Sequence, residues 1–146
     1  MNRIEIAAEE VPLPENIDVL KSFLKNVLKA IKKNNWELSI LFCNDDFIRI
    51  LNRRFRTKDE ATDVLSFPLG ETIIENSKEY YAAGDIVISL ETLAKNSILY
   101  AVDKYEELRR LLVHGILHLD GMDHQTNDPS ESMLQKQEQI LESVTI

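Results

Sequence analysis

Three imidazoles stand close together in this chain, and they are its only histidines: His114, His118 and His124, all within the stretch LLVHGILHLDGMDH. His114 and His118 are four residues apart, so on a helix of 3.6 residues per turn both project from one face, one turn apart. Gly121 follows, a residue that adopts positive φ readily, stops a helix and turns the chain back. His124 can then approach the other two. Three neutral imidazoles leave one position of a tetrahedral metal open, the pattern of a catalytic site rather than a closed structural one. A lone histidine on an apolar helix is usually a satisfied core residue. Here the helix is apolar on nearly every side from Leu111 to Leu119, and buried ring nitrogens need partners. The expectation is one metal ion per chain, zinc first, with nickel and copper also suited to imidazole.

The run H-G-I-L-H-L-D-G-M-D-H matches the metzincin template H-E-x-x-H-x-x-G-x-x-H at each histidine and at the later glycine. The template's glutamate, the general base of peptide hydrolysis, is replaced by Gly115. A glycine inside a helix costs about 1 kcal/mol relative to alanine, so it calls for a reason, and room for a bulkier substrate beside the metal is one. Metallopeptidase chemistry is thereby weakened. The remaining parts are compatible with phosphodiester cleavage. A metal polarises a phosphoryl oxygen and lowers the pKa of its water, and an arginine fork holds phosphate oxygens bidentately. RILNRRFRTK supplies Arg49, Arg53, Arg54, Arg56 and Lys58. Arg56, just ahead of an expected strand, could lie at a cleft edge, or could be spent in a surface ion pair with Asp59 or Glu60. Asp85 could orient a histidine or cap a turn. Asp120 and Asp123 flank the third histidine and could bond an imidazole, act as a base, or merely solvate a loop.

Hydrophobic periodicity places these residues on elements. RIEIAA and WELSILFC read as strands, and residues 17–31 as an amphipathic helix. NDDFIRILNRRF reads as a capped helix with Phe47, Ile50 and Leu51 inward. VLSFPL reads as a strand ended by Pro68, residues 71–83 as a long connection, and DIVISL as a strand. Two helices then cover residues 91–100 and 102–119. Asp128, Pro129 and Glu131 look like the N-cap, first position and capping-box partner of a last helix running to about Ser143. About four strands and five helices in mixed order make an α+β fold with a mixed sheet, and no repeat or linker divides residues 1–146 into more than one domain.

The 17 Lys and Arg against 25 Asp and Glu give a net charge of −8. Nucleic-acid partners usually leave a basic footprint, so only the arginine cluster argues for one; a lysine stripe at 21, 25, 29 and 32 reads more simply as a solvated face. No apolar run approaches the ~20 residues of a membrane span. Cys43, the single cysteine, sits in an apolar run and reads as a buried reduced thiol, which leads to an expected cytoplasmic location.

Three segments, HGILHLDGMDH, FRTKDEATDVLSFPLG and GDIVIS, occur in an order that resembles the YbeY family of bacterial rRNA maturation factors over almost the whole chain. The resemblance implies a zincin-like metal helix and a metal-dependent endoribonuclease specific for single strands. It implies a role in 16S rRNA maturation and ribosome quality control, with small-subunit rRNA and ribosomal or assembly proteins as partners. It implies His114, His118 and His124 as metal ligands and Arg56 as the essential arginine. The rival reading is a ribosome-assembly factor that binds RNA through a fold held by a structural metal.

Overall fold

The computed structural model describes residues 1–144. Its elements run β1 (Arg3–Ala8), α1 (Ile17–Ala30), β2 (Trp36–Cys43), α2 (Asp45–Arg56), β3 (Val64–Glu75), β4 (Lys78–Ser89), α3 (Leu90–Leu99), α4 (Lys104–Leu119) and α5 (Ser132–Ser143). The strands form one mixed sheet in the order β1-β2-β4-β3, with β1, β2 and β4 parallel and β3 antiparallel on the edge beside β4. The expected α+β fold, four strands with five helices, is present.

Strand alternation sorts side chains onto two faces. Leu38, Ile40 and Phe42 of β2 line up with Ile86 and Ile88 of β4 and pack against Leu20, Phe23, Leu24, Val27 and Leu28 of α1 and Leu112 and Ile116 of α4. The other face carries Leu41, Leu65 and Val87 beneath Phe47, Ile48 and Leu51 of α2. Cys43 is fully buried there, as expected; its thiol faces the Ile88 carbonyl at 3.6 Å, and burial pushes its pKa up to about 12. Among the described residues no helix is long and apolar enough to cross a membrane.

Four local expectations are corrected. In α2 the buried position is Ile48, whereas Ile50 is 55% exposed; the polar Asn52 shares the buried side, its amide donating to the Glu60 carbonyl at 2.9 Å. Pro68 does not end β3. An edge strand pairs on one side only, so a residue without an N–H is tolerated, and the register shifts between Pro68 and Glu71 absorb the irregularity. Residues 71–83 are therefore the arms of a β3–β4 hairpin. Its tip is Asn76-Ser77, both at positive φ (51° and 64°), the two-residue turn whose twist matches the strands. Finally, Asp128 caps a turn and not α5: its carboxylate accepts from Ser130 N and its carbonyl from Glu131 N, and the helix begins at Ser132.

Candidate metal centre

Helix α4 carries two of the three histidines, and both its ends are well defined. The Asp103 side chain caps the first turn by accepting from the N–H groups of Tyr105 and Glu106 at 3.0 and 3.1 Å. At the other end Gly121, at φ 88°, donates its N–H to the His118 carbonyl while Met122 N donates to the Leu117 carbonyl. This paired bonding around a left-handed residue is a Schellman motif, and it reverses the chain toward His124.

The reversal brings the three rings together. Ring centres lie 4.6 Å apart for His114 and His118, 5.2 Å for His114 and His124, and 5.8 Å for His118 and His124. Each Nδ1 faces an oxygen: Gln137 Oε1 at 2.7 Å for His114, the Met122 carbonyl at 3.0 Å for His118, and the Thr126 carbonyl at 2.8 Å for His124. A carbonyl only accepts, so each Nδ1 donates and each Nε2 keeps its lone pair. Nε2 of His118 then faces Nε2 of His114 at 3.0 Å. Burial, the largest cause, pushes the pKa of both rings below the ordinary 6.5, so a proton is a poor bridge between them. Two lone pairs directed at one another call for a cation. Tetrahedral zinc–nitrogen bonds of about 2.0–2.1 Å would set ligand atoms about 3.3 Å apart. The three histidines each offer a ligand atom, all within 4.8 Å of one another, so the cluster can hold a metal ion.

Gly115 has a different purpose from the one its position suggested. A Cβ built there would meet Ile86 Cδ1 at 2.8 Å and Cγ2 at 3.0 Å. The glycine lets α4 lie close against β4, and the side it offers faces Ile86 and not the cleft that His114 and His118 line. A glutamate would fit there only if Ile86 moved, so the template's base has no ready place.

Arg56 ends α2, whose last turn also holds Arg53 and Arg54 at the negative end of the helix dipole. It is not paired with Asp59 or Glu60; Arg49 holds Asp59 instead, through two bonds of 2.9 and 3.2 Å. Arg56 reaches across β3, donating from Nη2 to the Ser66 carbonyl at 2.8 Å and from Nη1 to the Phe55 carbonyl at 3.3 Å. With Ser66, Pro68, His114, His118 and Asp123 it lines an open cleft of about 450 Å³. Its charge is one of the causes lowering the His118 pKa.

The aspartates separate. Asp85 lies on β4 and accepts from Ser39 Oγ, where it orients no histidine. Asp120 pairs with Lys33 at 3.0 Å. Asp123 accepts from the backbone N of His124 at 2.8 Å, fixing the loop behind the third ring, and its charge raises the His118 pKa against the effect of burial. Gln137 was not anticipated. Its signal was a polar residue on the buried side of α5, in line with Met133 and Ile140.

Known proteins share this chain's sequence and fold. The sequence model of the family described as Endoribonuclease YbeY matches residues 3–145. A Treponema denticola protein named Endoribonuclease YbeY is 46% identical over 143 residues, covering 96% of this chain and 92% of its own. A protein of that name from Borreliella burgdorferi is 42% identical over 134 residues, covering 87% and 86%. The solution structure of a Thermotoga maritima protein matches with a TM-score of 0.64 at 30% identity, over 95% of this chain and 87% of its own. With a match across nearly its whole length and relatives this similar, the chain belongs to the YbeY endoribonuclease family.

Proposed function

We propose that residues 1–146 form one ribonuclease domain, a metal-dependent endoribonuclease that cuts single-stranded RNA, in 16S rRNA maturation and ribosome quality control. Family membership supports the endoribonuclease activity, and the relatives carry that name. The observation that carries the chemistry is the placement of the Arg56 guanidinium on the same cleft as the converging imidazoles.

His114, His118 and His124 would hold one zinc ion through Nε2, with nickel or copper as rarer occupants. The bound metal supplies Lewis acidity toward a phosphoryl oxygen and a more acidic water. The chain's own residues do the rest. Gln137 and the carbonyls of Met122 and Thr126 keep each ring in one tautomer and orientation. Arg56 is the catalytic residue that takes the scissile phosphate. Two of its N–H groups are spent on the Ser66 and Phe55 carbonyls, which fixes the guanidinium plane and leaves its other donors for phosphate oxygens.

The rival reading, an assembly factor with a structural metal, calls for a fourth protein ligand. Among the described residues the group offers three. The metallopeptidase reading loses its base to the Gly115–Ile86 contact.

The test is single-turnover cleavage of a labelled single-stranded RNA, with elemental analysis of the same samples. His118→Ala should lose both metal and cleavage. Arg56→Lys keeps its charge but loses the planar fork; metal should stay stoichiometric while the rate falls on the order of a hundredfold, as for one oriented donor. Cleavage by metal-free His118→Ala at the wild-type rate would overturn the proposal.

A further inference from the structure

The sheet face opposite the histidines carries a second cleft, of about 570 Å³, between α2 and the strands. That is within the ~300–1,000 Å³ of small-ligand sites. Strand register sets one row of side chains across its floor: Glu5, Ser39, Asp85 and Phe67. Ser39 Oγ donates to Asp85, and Asp85 is exposed to solvent. At the β3 end, Phe67 meets Phe55 edge to face, centres 5.4 Å apart at 72°, and Phe55 is 54% exposed. Two arginines flank this pair. The Arg56 guanidinium lies 5.1 Å from the Phe67 ring centre, and that of Arg54 lies 5.9 Å from Phe55. Arg56 also lines the histidine cleft. It therefore links the two clefts across the edge of the sheet.

Rings alternating with guanidinium groups fit an unpaired nucleotide, whose base stacks on an aromatic while its phosphate meets a cation. The polarity of the cleft gives a direction. Cations stand at the β3 edge, next to the metal centre, and the carboxylates of Asp85 and Glu5 stand farther along the row toward β1, where a phosphate would be repelled. We propose that this cleft is a nucleobase subsite: the nucleotide next to the phosphate held by Arg56 stacks on Phe55 and Phe67, and its exocyclic amino group donates to Asp85. The inference rests on the endoribonuclease reading and extends it to base preference. Adenine, cytosine and guanine offer an amino donor to a carboxylate. Uracil presents a single N–H between two carbonyl oxygens, which the carboxylate repels. The subsite therefore selects a base that carries an amino group, adenine, cytosine or guanine, over uracil.

The test uses metal-free protein, so that nothing is cut, and fluorescence anisotropy with octamers of rA, rC, rU and an abasic ribose-phosphate strand. Phe55 is exposed, so Phe55→Ala should fold, and circular dichroism checks this. Its affinity for rA and rC octamers should fall about 5- to 100-fold, the effect of one lost stack, with the abasic strand unaffected. Asp85→Asn should bring the rC-to-rU affinity ratio toward one and leave the abasic strand unchanged. Unchanged affinity in Phe55→Ala, or equal weakening of the abasic strand, would overturn the subsite. If wild-type protein cleaves RNA with metal restored while either result holds, this inference alone fails. If wild-type protein neither binds nor cleaves RNA, the endoribonuclease reading fails with it.

Discussion

Replacing Gln137 with methionine should weaken metal binding without touching a ligand. The Gln137 side chain is nearly buried, and its Oε1 accepts from His114 Nδ1 at 2.7 Å. Its amide cannot flip freely, because Nε2 donates to Glu138 Oε2 at 3.0 Å. Glu138 is in turn clamped by Arg110 through bonds of 3.2 and 2.9 Å. A carboxylate accepts only, so the amide nitrogen must face Glu138 and the oxygen must face His114. Arg110, Glu138 and Gln137 thus fix the His114 proton on Nδ1 and leave Nε2 bare. Methionine has similar length and helix propensity but accepts weakly. Without the amide oxygen, the proton can move to Nε2, where it blocks the ligand atom. Loss of such a partner typically costs 10- to 100-fold in metal affinity, about 1.4–2.7 kcal/mol. Competition titration with a chromophoric zinc chelator measures the affinity, and nitrogen-15 NMR of the metal-free imidazoles reports the tautomer directly. Gln137→Glu, which keeps an acceptor, should retain affinity within a few-fold. Wild-type affinity in Gln137→Met, with His114 still protonated on Nδ1, would refute the reasoning.

Gly115→Ala should destabilise the protein by about 1 kcal/mol, because overpacking against Ile86 at about 1–3 kcal/mol outweighs a helix-propensity gain of about 1 kcal/mol; thermal melting should show a Tm lower by about 2–4 °C, and an unchanged or higher Tm would sink the packing account. The metal-free protein should lose stability as pH falls below 6.5: the folded pKa values of His114 and His118 are depressed, so their contribution is complete above 6.5 and is lost as pH drops through the folded values. Urea midpoints between pH 7.5 and 5 check this, and His114→Gln should flatten the decline. Neutralising Arg53 and Arg54 together as glutamines should reduce the slope of log affinity for single-stranded RNA against log salt by about 1.4, at roughly 0.7 per phosphate contact. An unchanged slope would move the RNA surface elsewhere, with the lysines of α1 the next candidate.

The histidine cluster was legible because its geometry is local. An i, i+4 pair and a glycine turn lie within one stretch of chain, so helix pitch and the Schellman reversal suffice to bring the rings together. Gln137 was hidden because it reaches His114 from another helix, and only the packing of α5 on α4 shows which side of α5 points inward. Gly115 was misread for a related reason. A template aligns residue types, whereas the direction a helix position faces depends on the sheet beneath it, and Ile86 decides it here. In α2 only Ile50 was misplaced: Phe47 and Leu51 do pack on the sheet, but Ile48 completes their stripe, and Asn52 joins it because the Glu60 carbonyl satisfies its amide. Pro68 misled because its meaning depends on whether the strand is at an edge, a property of strand order that the local sequence does not hold.

The acidic composition and the RNA reading are reconciled by where the cations are spent. Lys33 pairs with Asp120, Arg49 with Asp59, Lys95 with Asp45, and Arg110 with Glu138. None of the ion pairs among the described residues uses Arg53, Arg54, Arg56 or Lys58, which cluster where α2 ends. At physiological ionic strength exposed charges are screened beyond about 8 Å, so carboxylates elsewhere on the surface have little effect on a phosphate at this helix end. They do matter for everything else. A net charge of −8 opposes indiscriminate adhesion of polyanions, so on the ribonuclease reading an RNA strand would gain affinity at the α2 end. A duplex keeps its bases stacked and cannot offer one to Phe55, whereas an unpaired strand can meet Arg56 with a phosphate and the aromatic pair with a base. On the proposed nucleobase subsite, a preference for single strands would follow from the division of this surface into one cationic edge and one apolar cleft.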